Sequence, residues 1–157
     1  MLRKIIVFSA IASASTASAL PSILAFEAAQ AAVDSCARQG FHVTATVVDD
    51  HGLNVALLRG DGATPHTLDS SRGKAYTVVT FGPIVNIWKT SEIAARVLAS
   101  PETSQLANVP GLLFLSGAVA IRNERGLFGG IGVGGAPGGK LDEECAQAGV
   151  DKINDKL

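Results

Sequence analysis

The residues best suited to chemistry lie close together in the sequence, between Arg59 and Lys74. Arg59, Asp61 and His66 fall in or beside a stretch containing glycine and proline, and Lys74 follows about two helical turns later. The imidazole of His66 could ligate a heme iron or act as a general base near neutral pH. Arg59 and Lys74 could hold carboxylates, such as heme propionates or those of an organic acid.

Each of these residues also has a purely structural interpretation. A histidine in a solvated loop is the commoner state for a residue such as His66, and Arg59 could simply pair with Asp61. The other two histidines are weaker candidates, because His51 lies in a turn and His42 shares a predicted strand face with threonines. No nucleophile motif, paired-carboxylate pattern or set of four spaced metal ligands stands out, so a hydrolase has no positive support.

Hydrophobic periodicity predicts a mixed chain of helices and strands around these residues. The predicted order is a helix over 26–39, strands over 41–48 and 53–59, helices over 67–80 and 91–98, strands over 112–115, 118–122 and 127–133, and a helix over 141–156. This order indicates an α+β domain built on an antiparallel sheet. Residues 59–66 then connect the second strand to the middle helix, where polar groups from two elements can converge.

The last predicted strand runs into a row of alternating glycines, Gly130, Gly132 and Gly134. Their spacing also satisfies a dinucleotide-binding fingerprint, but no helix opens directly on the glycines and no parallel strand follows, which argues against nucleotide binding. In a strand these glycines leave one face without side chains, so something must approach that backbone closely. A packed helix such as the one from Thr67, a flat ligand or a neighbouring subunit could fill the space.

The first nineteen residues predict a secretory signal peptide. Arg3 and Lys4 precede an apolar run, and residues 17–19 (Ala-Ser-Ala) supply the small side chains that a signal peptidase requires. We therefore expect cleavage after Ala19 and a single mature domain over residues 20–157. Serine and threonine interrupt the apolar run, so it is not expected to serve as a membrane anchor. The expected location is periplasmic or secreted, with no membrane span in the mature chain.

The two cysteines, Cys36 and Cys145, each lie on an apolar stripe of a predicted helix. In an oxidising compartment such a pair can form a disulfide. Closing a loop of roughly a hundred residues contributes about 4 to 5 kcal/mol in the chain-entropy model. Two buried free thiols are the alternative.

The composition limits the classes of partner. Of 157 residues, 47% are hydrophobic, which indicates a folded domain and excludes intrinsic disorder. Thirteen Lys and Arg stand against fourteen Asp and Glu, without a basic block. A nucleic-acid partner is therefore not expected.

Several short motifs in a fixed order resemble the GlcG/HbpS family of heme-binding and heme-degrading-like proteins, also found as the C-terminal domain of PduO-type proteins. The motifs lie at residues 47–52, 59–63, 74–75, 129–136 and 145–149, and the resemblance covers roughly residues 24–153. It implies a five-stranded antiparallel sheet with flanking helices, similar to profilin, and assembly into a homo-oligomer. It also implies heme or a related tetrapyrrole as the ligand, with exported members linked to heme capture and redox sensing.

The leading hypothesis is therefore an exported heme-binding protein that captures or senses heme. The predicted cofactor-binding residues are His66, Arg59, Asp61, Lys74, Gly132 and Gly134, with His66 as the candidate iron ligand. One alternative is an enzyme that acts on heme or on a small organic acid, with His66 or Lys74 in acid-base chemistry. Another is an accessory oligomeric protein without a small ligand.

Overall fold

A computed structural model describes residues 19–157 of the chain. The expected signal peptide, residues 1–19, lies outside the described residues except for Ala19. The helices are α1 Ser22–Ala37, α2 His66–Thr80, α3 Gly82–Val85, α4 Thr90–Leu98, α5 Pro101–Ser104 and α6 Gly139–Ile153. The strands are β1 Thr44–Asp49, β2 Asn54–Arg59, β3 Ala118–Asn123 and β4 Gly126–Gly134. Short 3-10 helices cover Gln105–Asn108 and Asn154–Lys156. Across residues 19–157, no helix combines the length and apolarity needed to cross a membrane.

The strands form one antiparallel sheet in the order β2-β1-β4-β3. Its register is fixed around β1, where Thr46 lies between Leu57 of β2 and Gly132 of β4. Side chains on both faces of β1 are buried from Thr44 to Val48, because helices cover the sheet on both sides. The predicted α+β class with an antiparallel sheet is confirmed.

Helices α1 and α6 pack on one face of the sheet, and α2 and α4 pack on the other. Helix α1 is rich in alanine, and its small buried side chains allow α6 to approach closely. A Cβ atom at Gly149 of α6 would lie 2.6 Å from the carbonyl oxygen of Ala28. The two helices run antiparallel, since Cys36 meets Cys145 and Glu27 near the other end of α1 contacts Lys156.

The predicted disulfide is confirmed, since Cys36 and Cys145 are bonded, with their Cα atoms 5.6 Å apart. Both cysteines are completely buried. The bond closes a loop with a sequence separation of 109 residues and ties the last turn of α1 to the middle of α6.

The predicted strand over residues 112–115 is wrong, and within residues 19–157 the sheet has four strands instead of five. This segment packs against α2, where the amide of Leu113 donates a hydrogen bond to Oγ1 of Thr77 at 2.7 Å. The outer edge of β3 is occupied instead by the residues before α4. The amide of Ala120 donates to the carbonyl of Trp88, and Lys89 forms an isolated bridge with Val119.

Two boundary differences change the surroundings of candidate residues. Strand β1 begins at Thr44 rather than residue 41, so His42 precedes the strand and does not share its threonine face. Helix α2 begins at His66, so this histidine is the first helical residue and not part of the loop. Both residues are exposed.

Candidate functional site

The segment between β2 and α2 passes beside the residues that join α1 to β1, and together they form a groove of about 380 Å³. We call it the Arg59 groove. Its apolar wall includes Val33, Phe41 and Leu58, and its polar groups include Asp34, His42, Arg59 and Asp61. The groove therefore places one guanidinium and one imidazole beside a hydrophobic surface.

The side chain of Arg59 is held at its base. Its Nε atom donates a hydrogen bond to the carbonyl oxygen of Ala63 at 2.7 Å, four residues along the chain. Within residues 19–157, Arg59 forms no salt bridge with Asp61, so the simple pairing considered from the sequence is not seen. A guanidinium fixed through Nε keeps its terminal nitrogens for a carboxylate.

His42 faces the same groove and is held by the connecting loop. Its Nδ1 atom lies 2.7 Å from the carbonyl oxygen of Asp61. Gly62 packs against the ring, and a Cβ atom there would lie 3.0 Å from Nδ1. Gly62 also has a φ of +76°, a backbone conformation that glycine adopts without strain. Sequence reasoning ranked His42 low because it assigned the residue to the strand.

The structure places His66 in a different groove, of about 460 Å³, between the start of α2 and residues 111–113. Its Nδ1 atom lies 3.2 Å from the hydroxyl of Thr64. Arg72, Leu112 and Leu113 also line this groove, and we call it the His66 groove. The residues predicted to act together are thus divided, with Arg59 and Asp61 on one side and His66 on the other.

Lys74 is buried and already has partners. Its Nζ atom donates to Oδ2 of Asp142 at 2.7 Å and to the carbonyl of Val133 at 2.9 Å. Burial raises the pKa of Asp142, and the hydrogen bond and charge of Lys74 oppose that shift, as do the amides of Ala136 and Gly135. The structure therefore gives Lys74 a structural partner rather than access to a ligand carboxylate.

Gly132 and Gly134 face α2. A Cβ atom at Gly132 would overlap the carbonyl oxygen of Ser71 and lie 2.6 Å from the amide nitrogen of Ala75, and one at Gly134 would lie 2.5 Å from Oγ of Ser70. Of the interpretations drawn from the bare strand face, the packed helix is the one seen. Neither glycine lines the Arg59 groove or the His66 groove.

The donor set of the Arg59 groove fits a flat, mainly apolar ligand that carries a carboxylate. Val33, Phe41 and Leu58 provide the hydrophobic surface, Arg59 provides a cation, and an imidazole is a common ligand of heme iron. The groove also contains the carboxylates of Asp34 and Asp61, so its single guanidinium can pair with one anionic group at a time.

The molecule is an α+β protein with an antiparallel sheet of four strands, order β2-β1-β4-β3, covered by helices on both faces. One groove beside the sheet contains an arginine and a histidine. The model of the family described as "Haem degrading protein HbpS-like" matches residues 20–151. The chain therefore belongs to the HbpS-like family, and the resemblance noted in its motifs is confirmed.

Solved structures agree with this assignment. A double-mutant form of Streptomyces reticuli HbpS is 36% identical, covers 96% of this chain and 97% of its own, and superposes with a TM-score of 0.78. Another HbpS crystal structure is 38% identical over 88% of this chain and 93% of its own, also with a TM-score of 0.78. A PduOC:heme complex shares the fold at 22% identity, with a TM-score of 0.73 over 87% of this chain and 96% of its own. The comparison with curated proteins found no match.

Proposed function

We propose that this chain is an exported protein that binds heme or a related tetrapyrrole in the Arg59 groove, for capture or sensing of that ligand. Its HbpS-like family is described as heme-degrading, and the fold is shared with a protein crystallised as a heme complex. A bound heme would supply a redox-active iron. Export is supported by the signal-peptide pattern of residues 1–19 and by the disulfide, which forms readily in oxidising compartments.

The observation that carries the proposal is the anchored guanidinium beside an apolar wall. Nε of Arg59 donates a hydrogen bond to the carbonyl oxygen of Ala63, which orients the terminal nitrogens before a ligand binds. Binding a ligand therefore costs little additional side-chain entropy. The terminal nitrogens can form two parallel hydrogen bonds with one propionate, while Phe41 and Leu58 contact the hydrophobic part of the ligand. Asp61, the other residue predicted for this site, contributes its backbone carbonyl to His42.

The test is a titration of the chain from Leu20 onward with hemin, followed by its visible absorption, and with metal-free protoporphyrin IX, followed by its fluorescence. We expect saturable one-to-one binding of both. Arg59→Gln should weaken both affinities about tenfold, the effect of losing a charged hydrogen-bonded pair. Arg125→Gln is the control, since Arg125 lies in the turn between β3 and β4, at the far end of the sheet. No saturable binding, or equal loss in both variants, would overturn the proposal.

The enzymatic alternative predicts a different result in the same cuvette. If the protein degrades heme with dioxygen as the oxidant, adding ascorbate as reductant in air-saturated buffer should bleach the Soret band of the complex faster than that of free hemin. A binding protein should keep the band. The expected homo-oligomer is measured separately, by sedimentation velocity of the same preparation with and without hemin.

A further inference from the structure

We propose that Nε2 of His42 is the atom through which the Arg59 groove ligates a heme iron. This inference rests on the proposed function and adds the identity of the metal ligand. It replaces His66, the ligand suggested by the sequence, with a histidine that the fold brings beside Arg59.

The hydrogen bond to Asp61 selects the tautomer of the neutral His42 ring. A backbone carbonyl oxygen can only accept, so Nδ1, 2.7 Å away, must carry the hydrogen. In a neutral imidazole the lone pair then lies on Nε2, and that atom has no hydrogen-bond partner within residues 19–157. An imidazole whose Nδ1–H donates to a backbone carbonyl and whose Nε2 is free is a common arrangement for a metal-binding histidine.

The loop around the ring supports this orientation. Asp61 provides the carbonyl, and Gly62 provides the space, because a Cβ atom at that position would come within 3.0 Å of Nδ1 and 3.2 Å of Cγ. The same loop carries Ala63, whose carbonyl anchors Arg59. One short segment therefore orients both the imidazole and the guanidinium of the groove.

Neither of the other two histidines has this combination. His66 lies in the His66 groove, and its Nδ1 faces the hydroxyl of Thr64, which can donate or accept and so leaves the tautomer undetermined. His51 is paired with Asp50 in the turn between β1 and β2, and its side chain is 80% exposed. They serve as matched controls, because each is an exposed histidine whose replacement leaves the Arg59 groove unchanged.

The experiment compares ferric hemin complexes of the wild type, His42→Ala, His66→Ala and His51→Ala by Soret absorption and electron paramagnetic resonance. We expect the signature of imidazole ligation to disappear in His42→Ala alone and hemin affinity to fall about tenfold or more. In His42→Gly, added imidazole should restore the signature, which a structural defect would not allow. Metal-free protoporphyrin IX, which has no iron to ligate, should bind His42→Ala within about twofold of the wild type.

The two proposals fail in different ways. If protoporphyrin IX binds the wild type but the hemin spectrum is unchanged in His42→Ala, or is lost in His66→Ala instead, the assignment of His42 is overturned and the proposed function stands. If neither porphyrin binds the wild type, the proposed function itself fails, and the assignment of His42 fails with it.

Discussion

Nζ of Lys74 lies 2.7 Å from Oδ2 of Asp142, and both side chains are almost fully buried. The pair joins α2 to α6, helices that pack on opposite faces of the sheet. Nζ also reaches the carbonyl of Val133 in β4, while Oδ1 of Asp142 accepts from the amide of Ala136. Gly117 makes room for the ion pair, since a Cβ atom there would lie 2.7 Å from Nζ.

The first prediction concerns the pH dependence of stability. Burial raises the pKa of Asp142 in the folded state above its unfolded value of about 3.9. The folded state then takes up this proton at higher pH, so the contribution of Asp142 to stability grows as pH falls through the folded pKa and is complete below the unfolded value. As the pH is lowered from 7 to 4, the free energy of unfolding of the wild type should therefore rise relative to that of Asp142→Asn.

Urea denaturation at several pH values measures this difference. Asp155→Asn, which removes an exposed carboxylate at the end of the chain, is the control for net charge. A difference that shrinks on acidification would mean that the pairing with Lys74 outweighs burial and that the pKa of Asp142 is lowered.

The second prediction separates the two members of the pair. Lys74→Met leaves the Asp142 carboxylate buried without its cation and should lower the free energy of unfolding by about 3 to 5 kcal/mol. The double variant Lys74→Met with Asp142→Asn removes both charges and should be more stable than Lys74→Met alone. Denaturation curves of the single and double variants give the coupling. Additive losses would show that the two side chains do not interact.

The third prediction concerns the contact between β4 and α2. Gly132→Ala would place Cβ against the backbone of Ser71 and Ala75, which cannot move aside as a side chain could. We expect a loss of about 3 kcal/mol in the free energy of unfolding. Gly138→Ala is the control, because a Cβ atom there meets nothing within 4 Å, and its cost should stay within about 1 kcal/mol. Similar thermal midpoints for the two variants would contradict the close approach.

The fourth prediction concerns the disulfide. Replacing Cys36 and Cys145 by alanine should lower the free energy of unfolding by about 2 to 5 kcal/mol, because the unfolded chain is no longer closed into a long loop. Reduction of the wild type should produce a similar loss, measured in urea with and without dithiothreitol. The alanine variant should not respond to the reductant. A response in that variant would show that the reagent acts elsewhere.

The fifth prediction concerns the charge of the Arg59 groove. Asp34 lines the groove, and its carboxylate repels an anionic ligand. Asp34→Asn should therefore strengthen hemin binding about two- to fivefold at low salt, and the gain should shrink as ionic strength rises. Glu124→Gln changes the net charge equally at the other end of the sheet and should have no such effect. Isothermal titration at two salt concentrations makes the comparison.

Most of the framework could be predicted from the sequence because its signals are local. The periodicity of α1 and the glycine row of β4 each reflect which side of one element is buried. The segment over residues 112–115 was predicted as a strand but packs against α2, because a short apolar run is equally compatible with a strand and with an irregular segment beside a helix. The side-chain hydroxyl of Thr77, which accepts the hydrogen bond from the Leu113 amide, lies 36 residues away in the sequence and leaves no local signal.

The candidate site was harder to predict for a related reason. Arg59 and Asp61 were identified from a loop that does line a groove, but His42 reaches that groove through a contact with Asp61 across 19 residues. Lys74 has the appearance of a free cation in the sequence, because its partner Asp142 lies 68 residues further on. Gly62, which leaves room for the His42 ring, is compatible with many other turn conformations and does not by itself indicate that a ring packs there.

The antiparallel pairing of α1 with α6 brings the two ends of the described chain to the same place. Residues near both ends, including Pro21 and Leu157, line one small cavity. A circular permutant could therefore join these ends through a short linker and open at the exposed turn around His51. All four strands would keep their neighbours in such a chain, and the disulfide would span the new junction. Folding of such a permutant would show that the architecture does not depend on the order in which the segments leave the ribosome.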